Sequence, residues 1–350
     1  MKLRRDPASG PRIHRYVLGF AALGLTLMFG LSACSSEEAA EEDTTQDSAE
    51  LSSDTEAAEG VAWVNGSFDE ALAMARDADK MLLVDVWSSH CAQCGIMDEE
   101  LWKTADGAEL VGDAIAVKVP SDDPESYTFR NTYPITGLPT ILLLDSSGNE
   151  IDRVVGYVNR SQFLSEAYGM MTGVDPIPEL KASIEADPSN PALCMTLMEK
   201  YLNRTNETEA SRMKDRILEL DPDNAGGHAE KALREMARYY AFFHMDAAGS
   251  AYIYRSLVEL YPSANSLNSA LKATLNHSKS LGQVSEWTEW ICEQTKKNPE
   301  NSRLNTAVAL YAFRNGVKDA CLAEAARQSL ELGGAPAGMD TVAVALAGGS

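Results

Sequence analysis

A nearly unbroken apolar run that ends just before two cysteines is the feature that most constrains this fold. Residues 81–87 read MLLVDVW. The run is too continuously apolar for a strand with one face in water, so we expect a central strand covered on both faces. Cys91 and Cys94 follow it closely, and two cysteines at this spacing form a redox pair, half of a zinc site or two buried thiols.

The sequence around this run alternates between helical and strand-like segments. Ser67 and Glu70 stand at capping-box spacing, so a helix begins there. Three strand-like runs and a closing helix follow, at residues 114–119, 140–145, 150–158 and 159–171. This order predicts an α/β domain with a mixed central sheet flanked by helices. Past residue 175 the strand-like runs disappear, which predicts an all-α second domain.

Four features together resemble the thioredoxin fold over residues 61–173. They are the strand Val84-Asp85-Val86-Trp87, the pair Cys91 and Cys94, the loop Thr136-Gly137-Leu138-Pro139-Thr140, and Gly156 in the last strand. The resemblance implies that the cysteines are a redox-active pair and that Pro139 is cis.

The expected helix start at Cys91 gives the two sulfurs different chemistry. Unpaired N–H groups and the positive end of the helix dipole favour a thiolate there. Cys91 is therefore expected to be the exposed nucleophile, and Cys94, one turn inward, the shielded resolving thiol. A charged Asp85 would be costly to bury, and the resemblance implies that it helps to deprotonate Cys94. The alternative is an aspartate that faces solvent at a strand end.

The resemblance also places four residues at the substrate groove: Trp87, His90, Leu138 and Pro139. Pro139 has no N–H to donate, which leaves neighbouring backbone groups free to pair with a substrate strand.

Three positions depart from the usual thioredoxin pattern. His90 replaces a tryptophan, Ala92-Gln93 replaces Gly-Pro, and Gly95 replaces a lysine. These departures leave the reduction potential, and with it the redox direction, open.

Zinc is a rival explanation for the cysteine pair. A structural zinc site needs four ligands at characteristic spacing. The remaining histidines and cysteines are scattered: His14, His228, His244, His277, Cys194, Cys292 and Cys321. We therefore predict no metal, and no cofactor, because nucleotide, haem and flavin signatures are missing from the sequence. The interpretation of Cys91 and Cys94 as two inert buried thiols is also disfavoured. Chance alone would not be expected to supply Asp85 and the Gly-Leu-Pro-Thr loop in the same sequence.

Residues 1–33 have the pattern of a targeting segment. Five basic residues precede an apolar core, and Leu31-Ser32-Ala33-Cys34 resembles a bacterial lipobox. The resemblance implies cleavage before Cys34 and lipidation of its thiol, and an uncleaved signal anchor is the alternative. We expect a lipid-anchored protein of the bacterial cell envelope that faces the periplasm. Ser35 after the cysteine favours the outer membrane.

The charge of the mature chain limits its partners. Removal of residues 1–33 would leave 25 Lys and Arg against 51 Asp and Glu, a net charge of −26. This sign excludes nucleic acid as a natural partner. Residues 34–60 contain ten acidic residues and no Lys or Arg. Such a segment buries too little apolar surface to fold, so we expect a disordered tether.

Proline-bounded turns recur in residues 176–334. DPSN at Asp187 and DPDN at Asp221 are 34 residues apart, a period that resembles tetratricopeptide repeats. The packing positions of this first unit would be Leu197, Tyr201, Ala210 and Ile217. Later units drift in spacing, so a helical bundle without repeat symmetry is the alternative. Residues 335–350 show no usable periodicity, and we expect a flexible tail.

Three cysteines lie within the helical patterns of the second domain: Cys194, Cys292 and Cys321. Free cysteine is among the most buried residue types, so we expect packing residues. A bridge between Cys292 and Cys321 is the alternative in an oxidising compartment.

Taken together, these features predict a membrane-anchored thiol–disulfide oxidoreductase of the cell envelope. Its cysteine pair would reduce or isomerise protein disulfides, with a membrane thiol reductase or oxidase as redox partner, and the helical domain would engage a partner protein. The alternative is an envelope scaffold that binds partners through its helices and carries a non-catalytic thioredoxin-like domain.

Overall fold

A computed structural model describes residues 60–348. The signal peptide predicted for residues 1–33, the lipidation site Cys34 and the tether up to residue 59 lie outside the described residues. Within residues 60–348, no helix is both long enough and apolar enough to cross a bilayer.

The first part of the structure is the predicted α/β domain. Its strands are β1 (Leu82–Trp87), β2 (Ile115–Pro120), β3 (Thr140–Leu144) and β4 (Glu150–Val155). Its helices are α1 (Phe68–Ala78), α2 (Ala92–Met97), α3 (Ala105–Val111), α4 (Tyr127–Thr132) and α5 (Arg160–Met170). A π-helical turn, Asp98–Trp102, continues α2, and a 3₁₀ turn, Pro124–Ser126, precedes α4. Ser67 caps α1 and forms the predicted capping box with Glu70.

The four strands form one mixed sheet in the order β2-β1-β3-β4. β1 is parallel to β2 and antiparallel to β3, and β4 is antiparallel to β3. Side chains of β1 alternate between two apolar cores: Leu83 packs with Met97 and Phe163 on one face, and Val84 packs with Phe129 on the other. The central strand is therefore covered on both faces, as its continuous apolar sequence predicts.

Helices alone make up the second part of the structure. They are α6 (Pro176–Ala186), α7 (Pro191–Asn203), α8 (Glu207–Leu220), α9 (His228–Phe242), α10 (Ala247–Leu260), α11 (Leu267–Ser280), α12 (Val284–Lys297), α13 (Ser302–Arg314), α14 (Ala320–Glu331) and α15 (Met339–Leu346). The four packing positions predicted for the first repeat unit are buried: Leu197, Tyr201, Ala210 and Ile217. An all-α region after the sheet is thus confirmed, whereas its assignment to tetratricopeptide repeats stays a prediction.

The expectation of a flexible tail over residues 335–350 is wrong for most of that segment. Met339–Leu346 forms α15, and its buried residues join the core of the preceding helices. Met339, Val342 and Leu346 recur at helical spacing, so they form one apolar stripe. The stripe is only two turns long and rich in small residues, which is why it gives a weak signal in the sequence.

Charged side chains join the edge strand β4 to the end of α7. Asp152 is 2% exposed, and its carboxylate accepts from Lys200 Nζ at 2.6 Å and from Arg204 Nη2 at 3.1 Å. Arg204 also donates to the carbonyl of Ile151 at 2.8 Å, and Lys200 Nζ lies 3.5 Å from the carbonyl of Arg153. A buried carboxylate without these cations would be very costly, so the network holds the helical region against the sheet.

Candidate redox-active site

Cys91 lies at the N-cap of α2, just beyond the carboxyl end of β1. Its backbone is extended, and its sulfur accepts a hydrogen bond from the N–H of Cys94 at 3.1 Å. The N–H groups of a first helical turn have no partner within the helix. The sulfur of Cys91 therefore occupies the place of a capping oxygen, where negative charge is favoured.

Cys91 and Cys94 form a disulfide. Their sulfur atoms are 2.17 Å apart and their Cα atoms 5.3 Å apart. Cys91 is half-exposed, whereas Cys94 is 7% exposed. A protein approaching from solvent thus meets the sulfur of Cys91 first.

The Pro139 loop reaches the same edge of the sheet as the cysteines. The Leu138–Pro139 peptide bond is cis, as the resemblance implies. Val86 pairs with Thr140 across β1 and β3, so Trp87 and Pro139 both lie at this edge. Leu138 and Trp87 are half-buried, which leaves part of each side chain accessible, whereas Pro139 itself is buried.

Gly156, the residue that follows β4, supports the Pro139 loop. Its N–H donates to the carbonyl of Pro139 at 2.8 Å, and its φ of 87° lies in the left-handed region. Few residues other than glycine adopt that conformation without strain. The glycine noted in the sequence is therefore part of the structure that holds this loop.

Asp85 is buried in the centre of β1, not at a solvent-facing strand end. It is 3% exposed, and Lys118 is its register partner in β2, with Nζ 3.6 Å from Oδ2. Oδ1 accepts no hydrogen bond from any residue between 60 and 348. Burial raises the pKa of Asp85 to about 7, although the positive charge of Lys118 acts in the opposite direction. A carboxyl group with this pKa can accept and release a proton near neutral pH.

Lys118 and Asp98 complete the charged cluster, and sequence reasoning missed both. Lys118 contacts the carboxylate of Asp98 as well as that of Asp85. Its ammonium also lies 5.0 Å from the ring centre of Trp63 and 6.0 Å from that of Trp87, distances at which a cation is attracted to an aromatic face. The sequence does contain a signal for this pair. Lys118 is the one charged residue of the apolar run AIAVKV, and such a lysine is expected to pair with the one aspartate of another buried strand.

His90 is exposed beside Cys91 and contacts Asp122, another residue that sequence reasoning missed. Nδ1 of His90 lies 3.4 Å from Oδ2 of Asp122, which also accepts from the hydroxyls of Ser88 at 2.9 Å and Ser89 at 3.2 Å. These hydrogen bonds, that of Ser88 first, hold the pKa of Asp122 below its usual range. The position of Asp122 in the sequence could have predicted this contact. Asp122 lies just after β2, and the carboxyl ends of the parallel strands β1 and β2 lie at the same edge of the sheet. A residue after β2 therefore comes close to the residues after β1.

The other cysteines lie in the helical region. Cys194 is fully buried and free, as expected of a packing residue. Cys292 and Cys321 were expected to be packing residues too, but their sulfur atoms are within bonding distance. Together with Asp319 they form the one group of three potential metal ligands among residues 60–348. Sulfurs joined in a disulfide offer no thiolate to a metal.

Comparisons with known proteins point to one family. A family model described as a thioredoxin-like domain matches residues 68–167. A thioredoxin of Chlorobaculum thiosulfatiphilum is 35% identical over 80 residues, which cover 23% of this chain and 69% of that protein. The thiol:disulfide interchange protein DsbD of Pseudoalteromonas atlantica is 26% identical over 108 residues, or 30% of this chain. The match spans only 18% of that relative's length.

Among solved structures, a thioredoxin from Thermus thermophilus is 27% identical, with a TM-score of 0.28. The alignment covers 30% of this chain and 83% of that one. On the match of residues 68–167 and on the identity to the Chlorobaculum protein, the chain belongs to the thioredoxin-like family, with the Cys91–Cys94 disulfide in its matching domain.

Proposed function

We propose that this protein is a thiol–disulfide oxidoreductase of the bacterial cell envelope that acts on protein disulfides. The observation that carries the proposal is the Cys91–Cys94 disulfide at the start of α2, with Cys91 the more exposed cysteine. Similarity to proteins named thioredoxin and thiol:disulfide interchange protein supports it.

In the reducing direction the reaction has two exchange steps. The Cys91 thiolate attacks one sulfur of a substrate disulfide, which forms a mixed disulfide and releases the other substrate sulfur as a thiolate. The Cys94 thiolate then attacks Sγ of Cys91, which forms the Cys91–Cys94 disulfide and releases the second substrate thiol. Two electrons pass from the Cys91–Cys94 dithiol to the substrate.

Asp85 is proposed to accept the proton of Cys94 before the second step. Its pKa of about 7 allows the carboxylate to take up that proton and return it near neutral pH. Burial is the main cause of this pKa, and Lys118 and Asp98 are proposed as positioning residues that adjust it, Lys118 downward and Asp98 upward.

The substrate is proposed to bind at the edge of the sheet formed by Trp87, His90, Leu138 and Pro139. His90 is exposed and Trp87 and Leu138 are half-buried, whereas Pro139 is buried beneath this surface. Backbone groups beside Pro139 would pair with an extended segment of the substrate, in which the target disulfide is held against Cys91.

Reduction or isomerisation is the proposed direction, since Asp85 is present and Ala92-Gln93 between the cysteines is uncharged. Each reduced substrate disulfide leaves the site oxidised, so two electrons have to be resupplied. A membrane thiol reductase is the proposed source, and a membrane thiol oxidase would take its place if the direction were reversed. The helical region is proposed to engage the partner protein.

Insulin reduction by dithiothreitol tests the exchange reaction. The unaltered protein should accelerate the precipitation of reduced insulin, and Cys91→Ser should abolish that effect. Cys94→Ser should instead accumulate a mixed disulfide that reducing agent releases. Cys194→Ala is the matched control, since this free cysteine lies in α7, outside the thioredoxin-like domain. Absence of turnover in the unaltered protein would favour the alternative function, an envelope scaffold whose thioredoxin-like domain is not catalytic.

Anchoring through Cys34 is proposed from the sequence of residues 1–34. Expression in a bacterium fed with a labelled fatty acid should label the protein and place it in the membrane fraction. Cys34→Ala should abolish the label. The variant should then either leave the membrane fraction or stay in it with its signal peptide uncleaved. Label that persists in Cys34→Ala would rule out this residue as the lipidation site.

A further inference from the structure

A groove between α11 and α13 has a charge unlike that of the rest of the chain. Its cavity has a volume of about 610 Å³. Residues of the two helices line it, together with Asn265 before α11 and Gly334 after α14. Arg303, Ala307, Leu310 and Arg314 recur along α13 at intervals of three and four residues, so one face of this helix forms a wall of the cavity.

The eleven residues that line this groove include two arginines and no acidic residue. The whole chain has 52 Asp and Glu against 30 Lys and Arg, yet residues 260–285 and 301–318 contain no Asp or Glu at all. The same segments carry five basic side chains: Lys272, Lys279, Arg303, Arg314 and Lys318. A protein of this overall charge thus presents one local surface of the opposite sign.

Two of these five basic side chains have neutral partners: Arg303, which lines the groove, and Lys279, which lies outside its lining. Arg303 donates to the side-chain oxygen of Asn265 at 2.9 Å, and Lys279 donates to that of Asn315 at 2.8 Å. Within residues 60–348 no ion pair compensates any of the five. By contrast, Arg327 on α14 pairs with a glutamate of its own helix. The charge of the groove therefore remains available to a ligand.

A carboxylate beside the groove is already satisfied. Glu230 reaches the turn before α11 from α9, and it accepts from the N–H groups of Asn265 at 2.9 Å and Ser266 at 2.5 Å. It also accepts from the hydroxyl of Ser266 at 2.7 Å. Glu230 thus fixes the turn that carries Asn265, and its charge is directed at that backbone.

The dimensions of the groove indicate the class of ligand. Arg303 and Arg314 are eleven residues apart on one helix, which at 1.5 Å per residue separates their Cα atoms by about 16 Å. An extended peptide spans that distance with about five residues, so that two of its carboxylates can pair with the two guanidinium groups at once. Asn265 and Asn268 offer amide donors and acceptors for a peptide backbone. Leu310 and Ala307 offer apolar contacts to its side chains.

We infer that this groove binds an extended acidic segment of a partner protein, with Arg303 and Arg314 pairing with its carboxylates. The inference rests on the proposed function in that the partner is the protein that exchanges thiols with the Cys91 site. A long nucleic acid is disfavoured, because the net charge of −22 repels a polyanion outside the groove.

Fluorescence anisotropy with a labelled ten-residue peptide of Glu, Asp and Leu tests the inference. The full chain carries Cys91→Ser and Cys94→Ser, so that disulfide exchange cannot contribute. Binding should saturate and weaken as salt is raised. Arg303→Gln and Arg314→Gln should each weaken it about threefold to tenfold, and Arg303→Lys should restore most of the loss. Arg327→Gln removes the same charge outside the groove and should change the affinity less than twofold.

Three results would overturn the inference: equal binding of a peptide with Gln and Asn in place of the acids, equal weakening by Arg327→Gln, or preferential binding of a single-stranded oligonucleotide of matched charge. Insulin reduction is measured separately on the chain with all its cysteines. Insulin turnover without peptide binding would contradict the peptide-binding role of the groove and leave the exchange reaction supported. Peptide binding without turnover would contradict the exchange reaction and leave the role of the groove supported.

Discussion

Lys118 lies beside Asp85 in the neighbouring parallel strand, with its ammonium 3.6 Å from the buried carboxylate. The same ammonium contacts Asp98, so one cation is shared by two acids. Burial raises the pKa of Asp85 to about 7, the charge of Asp98 acts in the same direction, and Lys118 opposes both. This pKa near neutrality leads to the first three predictions.

Asp85→Asn should slow the resolving step. The carboxylate form is needed to accept the proton of Cys94, and the pKa of Asp85 is about 7. Turnover of the unaltered protein should therefore rise with pH through about 7 and then level off. The variant should lose this dependence and be slower at pH 8 by on the order of a hundredfold, with KM unchanged. Stopped-flow measurement of mixed-disulfide decay gives the rate.

The control for that experiment is Asp113→Asn, which removes an exposed acid. A resolving rate in Asp85→Asn that equals the rate in Asp113→Asn at every pH would contradict the proton-transfer role of Asp85.

The contribution of Asp85 to the stability of the oxidised protein should fall as pH rises from about 4 to about 7. The pKa of Asp85 is raised from 3.8 to about 7 on folding, so in this range the native state binds the proton and the unfolded state does not. Asp85→Asn should remove this decline and increase the free energy of unfolding at pH 8 by on the order of 2 to 4 kcal/mol. Urea denaturation across the pH range measures it. Parallel pH profiles of the two proteins would be inconsistent with a raised pKa.

Lys118→Gln should move the pH profile of turnover to higher pH. The positive charge of Lys118 opposes the effect of burial on Asp85, so its removal raises the pKa of that carboxyl further, by about one unit. The midpoint of the turnover profile is the quantity to measure. Lys80→Gln is the control, because Lys80 pairs with the exposed Asp113, and equal midpoints in the two variants would argue against the shared cation.

Arg204→Gln should destabilise the junction between the sheet and the helical region. It leaves the buried Asp152 with Lys200 alone and removes a donor to the carbonyl of Ile151. We expect the free energy of unfolding to fall by about 2 to 4 kcal/mol in urea. Arg212→Gln, in an exposed pair with Glu209, should cost less than about 1 kcal/mol. Similar losses in both variants would show that the junction contributes little.

Cys321→Ser should destabilise the helical region. Cys292 and Cys321 close a loop with a sequence separation of 29. A cross-link of this length lowers the entropy of the unfolded chain and stabilises the native state by about 3.5 kcal/mol. Mass spectrometry of a non-reduced digest should find the two peptides joined. Peptides that are separate without reduction would show that the thiols are free, and the variant should then unfold like the unaltered protein.

The sheet, its covered central strand and the place of the cysteines were predictable, because each depends on local sequence or on spacing along one segment. MLLVDVW specifies a buried strand, and a helix that starts at Cys91 follows from its position after that strand. Contacts between distant segments were harder to foresee. Lys118 and Asp122 follow Asp85 by more than thirty residues and meet the site only through strand pairing and the edge of the sheet. The bridge between Cys292 and Cys321 depends on the packing of α12 against α14, which spacing does not specify.

The contacts of Arg204 and Lys200 with the carbonyls of β4 have a consequence for self-association. An uncovered edge strand is a template on which a second chain can add a strand of its own. Here long cationic side chains occupy the carbonyls on the outer side of β4. If the thioredoxin-like domain were produced without the helical region, the outer carbonyls of β4 would be unpaired. The isolated domain should then self-associate through β4, whereas the whole protein should not associate through this strand.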